Sequence, residues 1–94
     1  MNSEKKFDDD LQIYVFTTSF VIENKSEITF ISHDEDGDWQ FMSDDKTEEE
    51  DARVISLEEM IAHDSSILEL ADLPLGYQAE RSDKYSEWTI SKSE

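Results

Sequence analysis

Apolar and polar positions alternate early in the chain in a way that is typical of β-strands. Ile13 and Val15 alternate with Tyr14 and Phe16, and further apolar residues follow. β-Branched and aromatic residues dominate this run, and such residues favour extended backbone. The pattern therefore predicts either one long strand or two short strands divided near residues 17–19.

Two further strand-like runs, residues 28–32 and 39–42, flank the acidic stretch DEDGD. An Asp-Gly pair, residues 36–37, is favoured where a turn needs a positive φ. Runs and turn together predict a β-hairpin whose acidic side chains lie in solvent. Two aromatic side chains of the second run, Trp39 and Phe41, are predicted to enter the core.

A calcium-binding loop is the alternative interpretation of the same stretch. With Gly37 at the sixth position of an EF-hand loop, the first and twelfth positions are serines rather than carboxylates. We therefore predict no specific metal site. A weak cation site of low specificity stays open as an alternative at three aspartates, Asp34, Asp36 and Asp38.

Helix signals appear in the second half of the chain. After a strongly acidic loop, residues 53–55 predict a short strand. Ser56 and Glu59 then match a capping box, in which each side chain bonds the other residue's backbone N–H. An apolar stripe at helical spacing follows, formed by Leu57, Met60 and Ile61.

Asp64 predicts a second N-cap, followed by a shorter apolar stripe that ends before Pro74. Residues 77–81 and 87–90 predict the last two strands. The order of strands, two short helices and strands predicts an α+β fold, with a mostly antiparallel sheet and both helices packed on one face. We expect a flexible acidic leader over residues 1–11 and a single domain over residues 12–94.

Composition narrows the chemistry. The 94 residues contain no cysteine, which excludes disulfides and thiolate catalysis and favours a reducing, cytoplasmic location. The N-terminus lacks the apolar region of a signal peptide, and no apolar run is long enough for a membrane span. No nucleophile elbow, glycine-rich phosphate loop or HExxH motif occurs. We therefore expect no catalytic residues and no cofactor.

Charge points to a class of partner. With 25 acidic against 8 basic residues, the net charge is −17. Such a chain repels nucleic acid and anionic membranes, and it attracts basic proteins. Ten acids and one lysine lie between residues 34 and 51. We expect the turn at residues 34–38 and the loop at residues 44–51 to form one acidic rim.

The sequence SHDEDGDWQF, the strand and helix start RVISLEEM and the segment DSSILELADLPLGYQAER stand in an order that resembles a group of small bacterial proteins of unknown function. That group is classed with the immunity proteins of polymorphic toxin systems. The resemblance covers roughly residues 12–90 and is most specific from Asp64 to Arg81. It implies an α+β fold and a role in neutralising a toxin.

Two classes of function remain open. In the first, the chain is an immunity-type module that binds a basic toxin; in the second, it is an acidic housekeeping accessory domain without a toxin partner. For the first we expect partner contacts from Asp44, Asp45, Glu48, Glu49, Glu50, Asp51 and Arg81. Arg81 also has a purely structural interpretation, an ion pair with a nearby acid that orders the preceding loop. Neither class is an enzyme.

Overall fold

The alternating runs form a single six-stranded sheet in a computed structural model that describes residues 5–93. The strands are β1 (Tyr14–Thr18), β2 (Phe30–His33), β3 (Trp39–Met42), β4 (Ala52–Ser56), β5 (Tyr77–Glu80) and β6 (Thr89–Lys92). The α-helices are α1 (Ser19–Ile22) and α2 (Leu57–His63), and 3-10 helices span Glu49–Asp51 and Ser65–Leu70.

The spatial order of the strands is β4-β1-β3-β2-β5-β6. The pair β1–β3 is parallel, and the other four pairs are antiparallel. Mostly antiparallel pairing with short helices confirms the predicted α+β fold. Parallel neighbouring strands run in the same direction. β1 and β3 therefore end at the same end of the sheet, and β4, which is antiparallel to β1, begins there.

Strand register divides the sheet into two faces, because successive side chains point to opposite sides. One face packs against α2 and the 3-10 helix Ser65–Leu70, and we call it the helix-covered face. Its fully buried strand residues are Val15, Ile31, Trp39, Phe41 and Ala79. The opposite side we call the open face; it is formed by Tyr14, Phe16, Thr18, Phe30, Ser32, Gln40, Met42, Ala52, Val54, Ser56, Gln78, Glu80, Thr89 and Ser91.

The hairpin forms as predicted. β2 and β3 pair antiparallel, and Gly37 adopts a φ of 95° in the turn between them. The Asp34 carboxylate accepts hydrogen bonds from the backbone N–H groups of Asp36 and Asp38, both at 3.0 Å. Asp34 therefore stabilises the turn directly, and Trp39 enters the core as expected.

Both predicted helix starts are confirmed. The Ser56 hydroxyl accepts from the Glu59 backbone N–H at 3.1 Å, and the Glu59 carboxylate accepts from the Ser56 N–H at 3.2 Å. The Asp64 carboxylate accepts from the Ser66 N–H at 3.0 Å and caps the following 3-10 helix. These caps fix where each helix begins, so that its apolar stripe meets the sheet.

Strand structure was expected at residues 20–22, either as the end of one long strand or as a second short strand after a division at residues 17–19, and this prediction is wrong. Residues 19–22 form α1, whose N-cap is Thr18. The Thr18 hydroxyl accepts from the Val21 backbone N–H at 3.3 Å, and Val21 is fully buried. A single capped turn thus buries an apolar side chain where a continued strand would carry the chain away from the core.

The expected flexible leader over residues 1–11 also needs correction. Phe7 is a member of the core and packs edge-on against Trp39, with ring centroids 5.0 Å apart. The Lys5 ammonium group donates to the Glu69 carbonyl at 3.1 Å and to the Asp72 carboxylate at 3.2 Å. Residues 5–11 therefore belong to the packed domain. The rest of the expected leader, residues 1–4, lies outside the described residues.

Candidate functional site

The acidic loop predicted to contact a partner lies at one end of the strands. We call this loop the acidic segment (residues 44–51). It connects the end of β3 to the start of β4. Because β1 lies between these two strands, the segment crosses the end of β1. It brings together six of the seven predicted partner-binding residues: Asp44, Asp45, Glu48, Glu49, Glu50 and Asp51.

Local hydrogen bonds give the acidic segment a defined backbone. Asp51 donates its N–H to the Glu48 carbonyl, and its carboxylate accepts from the Glu48 N–H, each at 2.9 Å. Arg53 donates to the Glu50 carbonyl at 3.0 Å and to the Glu23 carboxylate at 3.1 Å. The carboxylates of Glu48, Glu49 and Glu50 accept none of these bonds, and all three residues are exposed.

The other end of the acidic segment is tied to neighbouring hydroxyl groups. Thr29 donates its hydroxyl to the Asp44 carboxylate at 2.7 Å, and Ser43 donates to the Asp45 carboxylate at 2.8 Å. Hydrogen bonding from the Ser26 hydroxyl, and then from Ser43, holds the pKa of Asp45 below its ordinary value of 3.8. Asp45 therefore stays charged at neutral pH.

The expected single acidic rim does not form. The turn at residues 34–38 precedes β3, whereas the acidic segment follows it, so the two lie at opposite ends of β3. Four strand residues separate them, which corresponds to roughly 13 Å at the usual rise per residue. The turn lies close to the loop before β5, since a Cβ built at Gly76 would lie 3.3 Å from the Glu35 Cγ.

An exposed apolar cluster lies on the open face, with Val54 three residues from the acidic segment and Tyr14 at the opposite end of β1. Tyr14, Phe16 and Val54 are 71%, 41% and 52% exposed. Phe16 and Val54 are direct cross-strand neighbours, and Tyr14 is two residues away on β1. The helix α2 and the 3-10 helix Ser65–Leu70 pack on the other face, and all three side chains of the cluster keep a large exposed fraction within residues 5–93. We call these three residues the apolar cluster.

Sequence analysis missed the apolar cluster for an identifiable reason. Both sets of alternating residues in β1 are apolar, since Val15 and Ile13 lie on one side and Tyr14 and Phe16 on the other. Alternation therefore could not show which set faces the helices. The presence of two apolar sets was itself the usable signal, because a half-buried strand normally alternates apolar with polar residues.

Arg81, the seventh predicted residue, lies away from the acidic segment. Its guanidinium donates to the Ile28 carbonyl at 2.9 Å and to the Ser66 hydroxyl at 3.4 Å. It also stacks over the Trp88 ring, 4.2 Å from the centroid. The expected ion pair with an acid is wrong, because the two ion pairs found within residues 5–93 are Lys5–Asp72 and Arg53–Glu23. Arg81 is half-buried and joins three parts of the fold.

The two histidines have structural surroundings. The His33 ring stacks on Trp39 with centroids 3.9 Å apart, and its Nδ1 donates to the Leu73 carbonyl at 2.7 Å. His63 lies in the last turn of α2. Within residues 5–93, no group of three or more His, Cys, Asp or Glu side chains is arranged to hold a metal ion. None of the helices in this range has the length and apolar character required to cross a membrane.

No protein-family model matches this chain, and comparisons with curated proteins and with solved structures give no match either. The resemblance to immunity proteins of polymorphic toxin systems therefore stays a prediction. The geometry of the open face and the acidic segment is what bears on function.

Proposed function

We propose that this chain is an immunity-type binding module that neutralises a basic toxin, which it contacts through the open face and the acidic segment. The observation that carries the proposal is the apolar cluster, whose Val54 end lies near the exposed carboxylates of the acidic segment. A cytoplasmic location belongs to the same proposal and rests on the cysteine-free composition.

The apolar cluster suits the centre of a protein interface. Interface energy is concentrated in a few large, well-packed side chains, and tyrosine is enriched among them. Tyr14 supplies an aromatic ring with a hydroxyl group, and Phe16 and Val54 supply apolar surface beside it. A solvent-facing cluster of this kind on a sheet without covering helices is better explained by a partner than by folding.

The acidic segment suits the rim of the same interface. Interfaces combine an apolar centre with a polar, solvent-accessible periphery. Exposed carboxylates at Glu48, Glu49 and Glu50 attract a basic surface over the screening length of about 8 Å at physiological ionic strength. Rim charges chiefly raise the association rate, whereas the buried centre chiefly sets the dissociation rate.

A housekeeping accessory domain is the second candidate, and one observation favours it. Acidic residues are not confined to the acidic segment, since those of the turn at residues 34–38 lie at the other end of β3. A distribution of charge over several surfaces is what solubility alone requires. Under this alternative the chain has no basic toxin partner.

The test begins with isolation of the partner by co-expression of the chain with neighbouring gene products. The double variant Tyr14→Ala/Val54→Ala should weaken binding at least about tenfold, because loss of central interface side chains typically costs over 1 kcal/mol. The matched control is Leu11→Ala/Leu75→Ala, which removes apolar side chains that are 41% and 55% exposed elsewhere. Equal affinity of the two double variants would contradict the proposal.

A further inference from the structure

An open groove of about 730 Å³ lies on the side of the molecule opposite the open face. The 3-10 helix Ser65–Leu70 forms one wall, and Trp88 with Ile90 forms the other. Its apolar lining comes from Leu68, Leu70, Trp88 and Ile90. We call it the Trp88 groove; its volume lies within the range of ordinary ligand-binding clefts, roughly 300–1,000 Å³.

The Trp88 groove adjoins a free sheet edge. β6 is the last strand of the sheet, and within residues 5–93 no other strand pairs with its outer side. All four of its residues are exposed, and Ile90 is 54% exposed although it lines the groove. A free edge presents unpaired N–H and C=O groups that can accept another strand.

The register of β6 identifies which backbone groups are free. The Ser93 N–H donates to the Gly76 carbonyl at 2.7 Å, and hydrogen-bonded pairs alternate along an antiparallel ladder. Residues 89 and 91 therefore bond inward to β5, whereas Ile90 and Lys92 direct their N–H and C=O groups outward. Because Ile90 also lines the groove, a strand paired with it would place its own side chain in the groove.

Contacts within the fold hold Trp88 in position as part of the groove wall. The Arg81 guanidinium covers one face of the ring and is itself fixed by the Ile28 carbonyl. The Trp88 indole Nε1 is buried and has no acceptor among residues 5–93.

Local charge favours a basic occupant. Glu69 and Glu87 line the groove, and the only lining cation within residues 5–93, Lys5, is already paired with Asp72. The whole chain has a net charge of −17. The same charge disfavours a second copy of this chain as the occupant, because two copies repel each other.

The other edge strand, β4, is less suited to strand addition. At β4, Arg53 donates to the carbonyls of Ala52 and Glu50 at 2.9 and 3.0 Å, and this covers part of the edge. Charged side chains on an edge strand are a common protection against strand pairing. β6 also carries a charged residue, Lys92, and β4 also adjoins a groove, of about 350 Å³ and lined in part by Ile55. The Trp88 groove beside β6 is about twice as large, at about 730 Å³.

We propose that β6 and the Trp88 groove bind an extended segment of a basic protein by antiparallel strand addition, with an apolar side chain in the groove. The alternate lysine or arginine side chains of the segment then point to the opposite side of the sheet, where Glu80 of β5 pairs with Thr89 of β6. This site lies at the β6 end of the strand order, away from the apolar cluster on β1 and β4, and it requires neither a toxin partner nor the neutralising role proposed above.

A synthetic peptide of seven residues that alternates lysine with valine is the probe. Directly opposed residues in an antiparallel pair share a face, so the valines enter the groove and their N–H groups pair with β6. Binding is measured by fluorescence anisotropy at physiological ionic strength, and NMR shift changes locate it. We expect shifts at Thr89–Lys92 and at the Trp88 indole N–H, with Trp39 unchanged.

Two modified peptides separate strand addition from attraction by charge. N-methylation of the valines removes the pairing donors and should abolish binding, whereas N-methylation of the lysines should leave it nearly unchanged. Equal binding of the two modified peptides, or no binding of the unmodified peptide at millimolar concentration, would overturn the proposal.

Protein variants test the groove itself. Ile90→Glu should weaken peptide binding at least about tenfold, because it replaces an apolar contact with a carboxylate. Leu75→Glu adds the same charge at a side chain that is 55% exposed elsewhere, and it should leave the affinity unchanged. Equal effects of the two variants would overturn the proposal, as would sedimentation showing a dimer that Ile90→Glu dissociates, since a second copy would then occupy the site.

Discussion

The two faces of the sheet differ although the same strands build both. On β1, Val15 is fully buried under the helices, whereas Tyr14, one residue earlier, is 71% exposed. Both are large and apolar, so residue type alone does not explain the difference. Helix position decides it, because α2 and the 3-10 helix Ser65–Leu70 cover only one side. Apolar residues on the covered face stabilise the fold, and those on the open face are free to contact a partner.

The largest expected effect separates the roles of the two faces in stability. Trp39 is fully buried and contacts Phe7, His33 and Phe41. Trp39→Ala should lower the free energy of unfolding by about 3–5 kcal/mol, since it leaves a cavity in the core. Tyr14→Ala should change it by less than about 0.5 kcal/mol, because an exposed side chain loses few contacts.

Chemical denaturation of the two variants and the wild-type chain provides the measurement. A large loss of stability in Tyr14→Ala would show that the open face is covered in solution. A denaturation midpoint of Trp39→Ala close to that of the wild type would contradict the assignment of β3 to the core.

A smaller effect is expected at the start of the helix that covers one face. Ser56→Ala removes the hydroxyl that accepts from the Glu59 N–H at 3.1 Å. Loss of an N-cap typically costs about 1 kcal/mol, and we expect a loss of this size in thermal or chemical unfolding. Ser56→Asp retains a side-chain acceptor and should keep most of the wild-type stability. Equal stability of Ser56→Ala and Ser56→Asp would show that the cap does not position α2.

Association kinetics should distinguish the acidic segment from the acidic turn at residues 34–38. Three amide substitutions in the acidic segment, Glu48→Gln, Glu49→Gln and Glu50→Gln, should slow association with the isolated partner several-fold and flatten its salt dependence. The dissociation rate should change little. The matched control neutralises three acids of that turn: Glu35→Gln, Asp36→Asn and Asp38→Asn. Equal slowing by both triple variants would mean that only net charge matters.

The smallest expected effect concerns the protonation of Asp45. Its pKa is lowered by hydrogen bonds from Ser26 and Ser43, so the charged form is favoured in the folded chain. The resulting stabilisation is present above the ordinary pKa of 3.8 and is lost as the pH falls through the lower folded value. Ser26→Ala should raise the pKa of Asp45 more than Ser43→Ala does. NMR titration of the carboxyl carbon measures both, and the reverse order would contradict the stated cause.

Much of the fold was predictable because local signals agreed with the final packing. The Asp-Gly turn, the Ser56–Glu59 capping box and the Asp64 cap each act within a few residues. Phe7 and α1 were not predictable in this way. Phe7 is an isolated aromatic residue in a polar stretch, and its burial depends on Trp39, which is distant in sequence. The short α1 depends on burial of Val21 against the core, which overrides its extended preference.

The candidate site was predictable in composition but not in arrangement. Acidic residues at positions 44–51 were evident from the sequence, whereas their separation from the 34–38 turn follows from the order of strands in the sheet. Arg81 was identified as unusual because bases are few. Its contacts with Ile28, Ser66 and Trp88 depend on packing between distant segments, which no local pattern encodes.

Hydroxyl-radical footprinting of the chain, free and bound to its isolated partner, tests most directly whether the open face is the binding surface. Tyr14 and Tyr85 are both highly exposed, at 71% and 85%, and have the same intrinsic reactivity, so each serves as a reference for the other. We predict strong labelling of both in the free chain, with Tyr14 protected and Tyr85 unchanged in the complex. Undiminished labelling of Tyr14 in the complex would contradict binding through the open face.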